Sequence, residues 1–209
     1  IQMWEWKSKQ LNNYEKYKPD FQSFPAAEGY VMPYGDSPTD NENVGELVYL
    51  DIINKAKKYV YITTPYLVID NEMITALGFA AKSGVDVKIV VPHIADKWYV
   101  NYAGWNYYKE LIKLGVQIYE YMPGFIHAKN FVSDDEIATV GSINLDYRSL
   151  YLHFECGTFL YKVPAISRIK SDFNDILGKC RRITLKDCQQ RPLIKKIIGG
   201  LLRMIAPLL

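Results

Sequence analysis

The amino-acid sequence predicts an α/β domain built on a mixed, largely parallel sheet. Between residues 44 and 121, segments with helical spacing alternate with short runs rich in β-branched and aromatic residues. This alternation is typical of parallel strands joined by helical crossovers. After Pro123 the helical spacing gives way to short strand-like runs, which makes the predicted sheet a mixed one.

The helices follow from apolar spacing and from glycine punctuation. We expect extended or irregular chain over residues 1–43, which are rich in aromatic residues, Pro and Asn. Apolar residues at every third position predict a first helix from Val44. The next two helices begin near Asn71 and Tyr99, and each ends at a glycine. A last helix is predicted over residues 164–179. Strands are predicted at YVYITT, VDVKIVV, VQIYEY, IHAKNFV, EIATVG and FECGTFLY.

The basic residues are concentrated at the end of the chain. Residues 179–209 carry eight Lys and Arg against one Asp, a net charge of +7, and since the whole chain carries +2 the first 178 residues carry −5. An acidic body is a poor electrostatic match for a nucleic-acid backbone, so we expect no nucleic-acid partner.

The tail RPLIKKIIGGLLRMIAPLL mixes basic residues with pairs of apolar ones. A helix of this composition can lie in a bilayer interface, attracted to anionic lipid. The alternative is an ordinary amphipathic helix packed on the domain and broken near Gly199-Gly200. We favour membrane contact.

The cysteines and the N-terminus indicate the compartment. Cys156, Cys180 and Cys188 show no metal-ligand spacing, and an odd, scattered set is typical of reduced thiols inside the cell. Near Ile1 no basic region precedes an apolar run, so we expect no signal peptide, and a first residue other than Met indicates a piece of a longer protein. No run reaches the ~18 apolar residues of a spanning helix.

The segment GFIHAKNFVSDDEIATVGSINLDYRSL gathers residue types that handle an anion. On a strand, His127 and Lys129 would project from one face, the lysine neutralising an anion while the imidazole attacks it or passes a proton. Ser142 and Asn144 offer a hydroxyl and an amide to phosphate oxygens. Glu155 could fix the tautomer of the imidazole. A lone histidine beside a lysine is more often structural, so this pair alone does not establish a site.

The complete pattern is more specific. HxK followed four residues later by Asp134, then GSxN and a later acid, resembles the HKD signature of the phospholipase D superfamily. In that family a histidine attacks a phosphodiester and forms a phosphohistidine, a second histidine protonates the leaving alcohol, and no metal or other cofactor is used. The resemblance implies a phospholipase D-like α-β-α sandwich.

Longer stretches are similar to the second catalytic half of bacterial cardiolipin synthases. These are YGDSPTDNENVGELVYLDIINKAKKYVYITTPYLVIDNEMITAL and GVQIYEYMPGFIHAK, together with the basic C-terminal segment. Members of that family join two phosphatidylglycerols into cardiolipin and release glycerol. The resemblance implies a phosphatidyltransferase that meets anionic phospholipid at a membrane surface. For the full-length protein it implies the cytoplasmic face of a bacterial cell membrane, with this segment soluble or peripheral.

The same resemblance implies residue roles. His127 becomes the acid/base, Lys129, Ser142 and Asn144 bind phosphate, and Glu155 orients His127. The family counts Asp134 with the catalytic set, although we favour a structural role for it, holding the motif by hydrogen bonds.

One departure from the family bears on activity. Complete members carry two HKD motifs and two membrane helices, and this sequence has one motif and no such helices. The other two histidines do not form a second motif, because His93 has Ala95 where a lysine is required and His153 is followed by Phe154 and Glu155. We therefore expect one half-site, completed by a missing N-terminal half or by a second copy across a two-fold interface. The alternatives are a single-motif homodimeric phosphodiesterase, phospholipase D or nuclease, and a half-domain that is inert alone.

The sequence also predicts a division of the chain into three parts and several secondary candidate residues. Residues 1–30 would be a lead-in, residues 31–180 the phospholipase D-like domain and residues 181–209 the basic, apolar C-terminal segment. Tyr66, where strands of the sheet end, could line the pocket. Asp36, Ser37 and Pro38 read as a turn. Core packing is the default interpretation of the aromatic cluster Trp98, Tyr99, Tyr102 and Trp105, and contact with a membrane interface is the alternative.

Overall fold

A computed structural model describes residues 2–18 and 27–208 of the chain. The predicted lead-in over residues 1–30 therefore lies partly outside the described residues. The strands are β1 Tyr30–Asp36, β2 Tyr59–Thr63, β3 Leu67–Val68, β4 Asp86–Pro92, β5 Gln117–Tyr121, β6 Asn130–Ser133, β7 Ile137–Gly141, β8 Leu145–Asp146, β9 Glu155–Tyr161 and β10 Cys180–Ile183. The α-helices are α1 Gln2–Ser8, α2 Val44–Lys55, α3 Asn71–Lys82, α4 Trp98–Leu114, α5 Ala165–Leu177, α6 Leu185–Gln190 and α7 Leu193–Met204.

Eight of the strands form one mixed sheet in the order β1-β9-β7-β6-β2-β4-β5-β10. Only the β2·β4 and β4·β5 pairs are parallel, and the other neighbouring pairs are antiparallel. The α/β class and the mixed sheet are confirmed, but the expectation of a largely parallel sheet is wrong. The helical crossovers do produce the central parallel strands, and the short strands after Pro123 join them by antiparallel pairing.

Helices cover both faces of the sheet. Buried residues of α2, α3 and α4 share the main apolar core with the inner faces of β2, β4 and β5. On the other face α5 places Ile166 against β6 and β7, and Phe173 against Val90 of β4. The predicted α-β-α sandwich is confirmed.

The two ends of the chain contain more structure than the sequence indicated. The extended or irregular chain expected over residues 1–43 is wrong for α1, which is a helix, whereas β1 is extended chain that pairs with β9 along its whole length as an edge strand. The buried carboxylate of Asp36, the last residue of β1, accepts the Gly45 backbone N–H at 2.7 Å and so ties the end of this strand to the start of α2. At the other end β10 pairs with β5, so the sheet extends to Ile183.

The C-terminal helix α7 packs against α4 without a break. A Cβ at Gly199 would stand 2.3 Å from the backbone oxygen of Tyr102, so only glycine allows the two helices to approach this closely. Nothing lies within 4 Å of a Cβ built at Gly200. The predicted break at these two glycines is therefore wrong: the first is a packing site inside a continuous helix.

The aromatic cluster at the start of α4 divides between core and surface. Trp98 is 59% exposed and contacts the edges of Tyr99 and Tyr102, so core packing is wrong for this side chain. Tyr99 and Trp105 are partly buried against the main core, and the buried aromatic side chains of α4 are Tyr107 and Tyr108 further along the helix.

A pair of buried carboxyl groups links α2 to the start of α3. The Tyr151 hydroxyl lies 2.7 Å from Glu46 Oε1 and 2.5 Å from Asp70 Oδ2. One hydroxyl hydrogen can serve only one of these oxygens, so the other contact needs a proton on a carboxyl group. Burial and the neighbouring Asp70 raise the pKa of Glu46 to about 7, which provides that proton.

Candidate active site

The signature residues converge at the sheet edge where β2 ends. Because β6 runs antiparallel to β2, its first residue Asn130 pairs with Thr63, the last residue of β2. The end of β7 lies beside the same point, since the Gly141 N–H donates to the Lys129 carbonyl at 3.2 Å. The HxK and GSxN segments, separated in the chain by a hairpin, are thereby neighbours in space.

His127 and Lys129 precede β6 rather than lying on it. The expectation of a strand through both residues is wrong, because β6 begins at Asn130 and residues 125–129 belong to no helix or strand. The His127 ring is exposed and lies 5.6 Å from the ring of Phe125. Lys129 is buried, and its ammonium donates to the His127 carbonyl oxygen at 2.6 Å.

The electrostatics around Lys129 suit an anion site. Burial lowers the pKa of this lysine, and the negative charges of Glu155 and Asp146 partly offset the effect. A half-desolvated ammonium attracts an incoming phosphate more strongly than one in bulk water does.

Ser142 is fixed to β9 from both sides. Its N–H donates to the Cys156 carbonyl at 2.8 Å, its hydroxyl accepts the Cys156 N–H at 3.0 Å, and the same hydroxyl donates to the Glu155 carboxylate. The other oxygen of Glu155 lies 3.5 Å from Nδ1 of His153. Glu155 thus contacts Ser142 and His153, and the structure gives it no hydrogen bond to His127. Its orienting role stays a prediction.

Asn144 presents an unused acceptor. Its amide nitrogen donates to the Ser149 hydroxyl at 2.9 Å, whereas its buried Oδ1 has no hydrogen-bond partner among the residues that the structure describes. A buried polar atom without a partner is costly and often marks a functional position. Asp146 follows on β8, buried, with its pKa raised by burial, and accepts the Ser149 N–H at 2.7 Å. Sequence reasoning missed Asp146, although its spacing of two residues from Asn144 was a signal.

Asp134 lies at the other end of β6. Its carboxylate accepts backbone N–H groups of Lys57 at 2.7 Å and of Lys58 and Tyr59 at 2.9 Å each. The four residues of β6 lie between it and Lys129 and span roughly 13 Å at the rise of a strand. These contacts hold the start of β2 against the β6–β7 turn, the arrangement expected of a structural residue.

A cavity of about 230 Å³ opens beside Asn144. Tyr66 is one of its lining residues and donates its hydroxyl to Asp96 at 2.5 Å. The wall also contains Lys97, Arg148 and His153, three cationic or basic side chains that sequence reasoning did not select. The Arg148 Nε donates to Nε2 of His153 at 2.7 Å, so that nitrogen is unprotonated in this arrangement.

Comparison with known proteins identifies the family. Residues 49–177 match the family model described as "Cardiolipin synthase, PLD-like domain". The chain belongs to this family. The cardiolipin synthase-like domain is 48% identical over 209 residues to an uncharacterized protein of Streptococcus mutans and 32% identical over 209 residues to the cardiolipin synthase of Alkalihalophilus pseudofirmus. Each match covers 100% of this chain. It covers 45% of the Streptococcus protein and 42% of the Alkalihalophilus protein, so the chain spans less than half of their length.

Solved structures with the same fold include proteins of one and of two domain lengths. The NUC phospholipase D family member of Salmonella typhimurium superposes with a TM-score of 0.61 at 21% identity, covering 75% of this chain and 99% of that one. The phosphatidylserine synthase of Haemophilus influenzae superposes with a TM-score of 0.70 at 14% identity, covering 86% of this chain and 47% of that one. These likenesses show the fold of the cardiolipin synthase-like domain.

The described residues contain neither a membrane-spanning helix nor a group of side chains that could hold a metal ion. Within residues 2–18 and 27–208, none of the helices has both the length and the apolar character that crossing a bilayer requires. In the same ranges no group of three or more His, Cys, Asp or Glu side chains is arranged to hold a metal ion.

Proposed function

We propose that the chain supplies one of two half-sites of a phosphatidyltransferase that joins two phosphatidylglycerols into cardiolipin and releases glycerol. A histidine of the other half attacks phosphorus and forms a phosphohistidine, while His127 protonates the departing glycerol oxygen. His127 then takes the proton from the hydroxyl of the second phosphatidylglycerol as that oxygen attacks the phosphohistidine. Lys129, Asn144 and Ser142 bind the phosphoryl oxygens, and Glu155 orients the His127 imidazole.

The convergence of the signature segments supports this proposal above all. A buried Lys129 ammonium, the Asn144 amide and an exposed His127 imidazole come together from separate segments at one sheet edge. Phosphoryl transfer depends mainly on positioning and charge stabilisation, for which this set is suited. The Asn144 amide nitrogen has two hydrogens, of which one donates to Ser149, and we expect the other to bind a phosphoryl oxygen.

The exposure of His127 supports a site made of two halves. A histidine that transfers protons in a water-excluding reaction needs a covering surface, and this chain leaves the imidazole open. The chain also spans only 45% and 42% of two of the relatives that it matches. The cover is therefore an N-terminal half of the same polypeptide or a second copy of this domain.

A second copy is favoured by one observation. The NUC chain is matched over 99% of its length, so a single domain of this fold is a complete chain in that protein. A homodimeric phosphodiesterase or phospholipase D built from this chain is the corresponding second candidate. The acidic first 178 residues argue against a nucleic-acid substrate and in favour of lipid handled at the basic C-terminal segment, at the cytoplasmic face of the cell membrane.

The test is phosphatidyl transfer by the purified chain on phosphatidylglycerol vesicles over a range of protein concentrations, with His127→Ala as the control. Cardiolipin formation that rises more steeply than linearly, and that His127→Ala abolishes, indicates half-sites assembled between chains. Phosphatidic acid without cardiolipin indicates hydrolysis and the second candidate. No turnover at any concentration, followed by turnover when the N-terminal half is added, indicates a split site. Turnover that His127→Ala leaves intact contradicts the assignment.

A further inference from the structure

The C-terminal helix α7 leaves an unpartnered apolar face. Seven apolar side chains in α7 and in the turn that follows it are between 47% and 82% exposed. These are Leu193, Ile194, Ile197, Leu201, Met204, Ile205 and Leu208. Their spacing of three and four residues places them on one stripe. The opposite side of the helix is anchored to α4, through Gly199 and through the Arg203–Glu110 ion pair at 2.6 Å. The stripe is therefore held facing outward by the packing of the helix.

This stripe ends at the rim of the cavity beside Asn144. Ala206, directly after α7, is buried and forms part of the cavity wall. The exposed Ile205 and Leu208 stand on either side of it in the chain. A molecule that spans the rim would therefore touch apolar side chains outside and polar ones inside.

The cavity wall carries a positive charge that no acid neutralises directly. Among the described residues neither Lys97 nor Arg148 forms an ion pair with a carboxylate. Lys97 lies over the Tyr66 ring at 5.4 Å, and Arg148 donates to His153. Asp146 is the acid in this wall, and it already accepts the Ser149 N–H. Two available cations against one engaged carboxylate suit an anionic headgroup.

We infer that this cavity is a phospholipid headgroup site, with Lys97 and Arg148 binding the phosphate and the apolar stripe of α7 lying in the bilayer beside it. The occupant is the surface of an anionic bilayer, because an apolar stripe flanked by Lys195 and Lys196 matches an interface of acyl chains and phosphates. The headgroup then reaches Asn144 and the signature residues without leaving the membrane. The inference rests on the proposed function, for which it provides the lipid-facing side of the site.

The experiment is co-sedimentation of the 209-residue chain with vesicles of phosphatidylcholine, with and without phosphatidylglycerol. Ile197→Glu with Leu201→Glu is expected to lower binding to both vesicle types at least tenfold. The matched control is Phe79→Glu, an equally exposed apolar residue on α3, which should leave binding unchanged. Ile197→Ser with Leu201→Ser repeats the test with a milder change, and circular dichroism checks folding.

The headgroup site is tested by charge. Lys97→Gln with Arg148→Gln is expected to weaken binding to phosphatidylglycerol vesicles about tenfold and to remove the preference over phosphatidylcholine. Lys57→Gln with Lys58→Gln removes the same charge at the opposite end of β2 and should change binding less than twofold. Equal losses from the two pairs would mean diffuse attraction without a site.

Two other outcomes overturn the inference. Vesicle binding that persists in the Glu variants, with a dimer that dissociates in them, would make the stripe a contact between copies. Absence of vesicle binding by the unmodified chain would remove the membrane role altogether. Because vesicle binding is measured without turnover, failure of the proposed reaction does not affect how this result is interpreted.

Discussion

The Asp134→Asn substitution tests whether the aspartate of the HKD signature serves the stability of the domain or its catalytic activity. The Asp134 carboxylate accepts three backbone N–H groups at the start of β2, at 2.7 to 2.9 Å. Hydrogen bonds to a charged acceptor contribute roughly 1.5–3 kcal/mol each. Asn keeps one acceptor oxygen and turns the other into a donor, so we expect a loss of about 2–4 kcal/mol in the free energy of unfolding. Asn also tolerates the positive φ of 55° at this position, so no backbone strain is added.

A loss of this size lowers the melting temperature by about 4–16 °C for a domain of this length. Differential scanning calorimetry or urea unfolding measures it. Asp135→Asn is the matched control in the same turn, also at positive φ, where an exposed ion pair with Lys170 predicts a loss of under about 1 kcal/mol. A melting temperature for Asp134→Asn equal to that of the control would refute the reasoning. Activity lost well below the melting temperature would instead support a catalytic role.

Two further substitutions test the packing and the buried acid pair. The pKa of Glu46 is raised to about 7, so between about pH 4.5 and 7 the folded state binds a proton that the unfolded state releases. The free energy of unfolding therefore falls as pH rises through this range, by on the order of 3 kcal/mol. Glu46→Gln should therefore flatten this part of the pH dependence, compared by urea unfolding at pH 5 and pH 8; an unchanged slope would contradict the assignment. Gly199→Ala should destabilise the packing of α7 on Tyr102 and expose the helix to proteolysis, whereas Gly200→Ala, with open space, should stabilise by up to about 1 kcal/mol through helix propensity. Equal effects of the two alanines would rule out close packing at position 199.

Local sequence determines the elements and the identity of the site in this protein. The helices from Val44, Asn71 and near Tyr99 were predictable because apolar spacing and capping are properties of neighbouring residues. The signature from His127 to Asn144 and the family were predictable for a similar reason, since the residue types and their spacing are themselves the evidence.

Tertiary structure alone decided the pairing and the surroundings of the site. Strand direction depends on contacts between segments far apart, such as β1 with β9 and β5 with β10, and no local pattern encodes them. The contacts of Asp134 are with residues 75 to 77 positions away. Lys97 and Arg148 come from different elements and share a cavity only after folding. The same holds for the break expected at Gly199, because the need for glycine there comes from the backbone of Tyr102 on another helix.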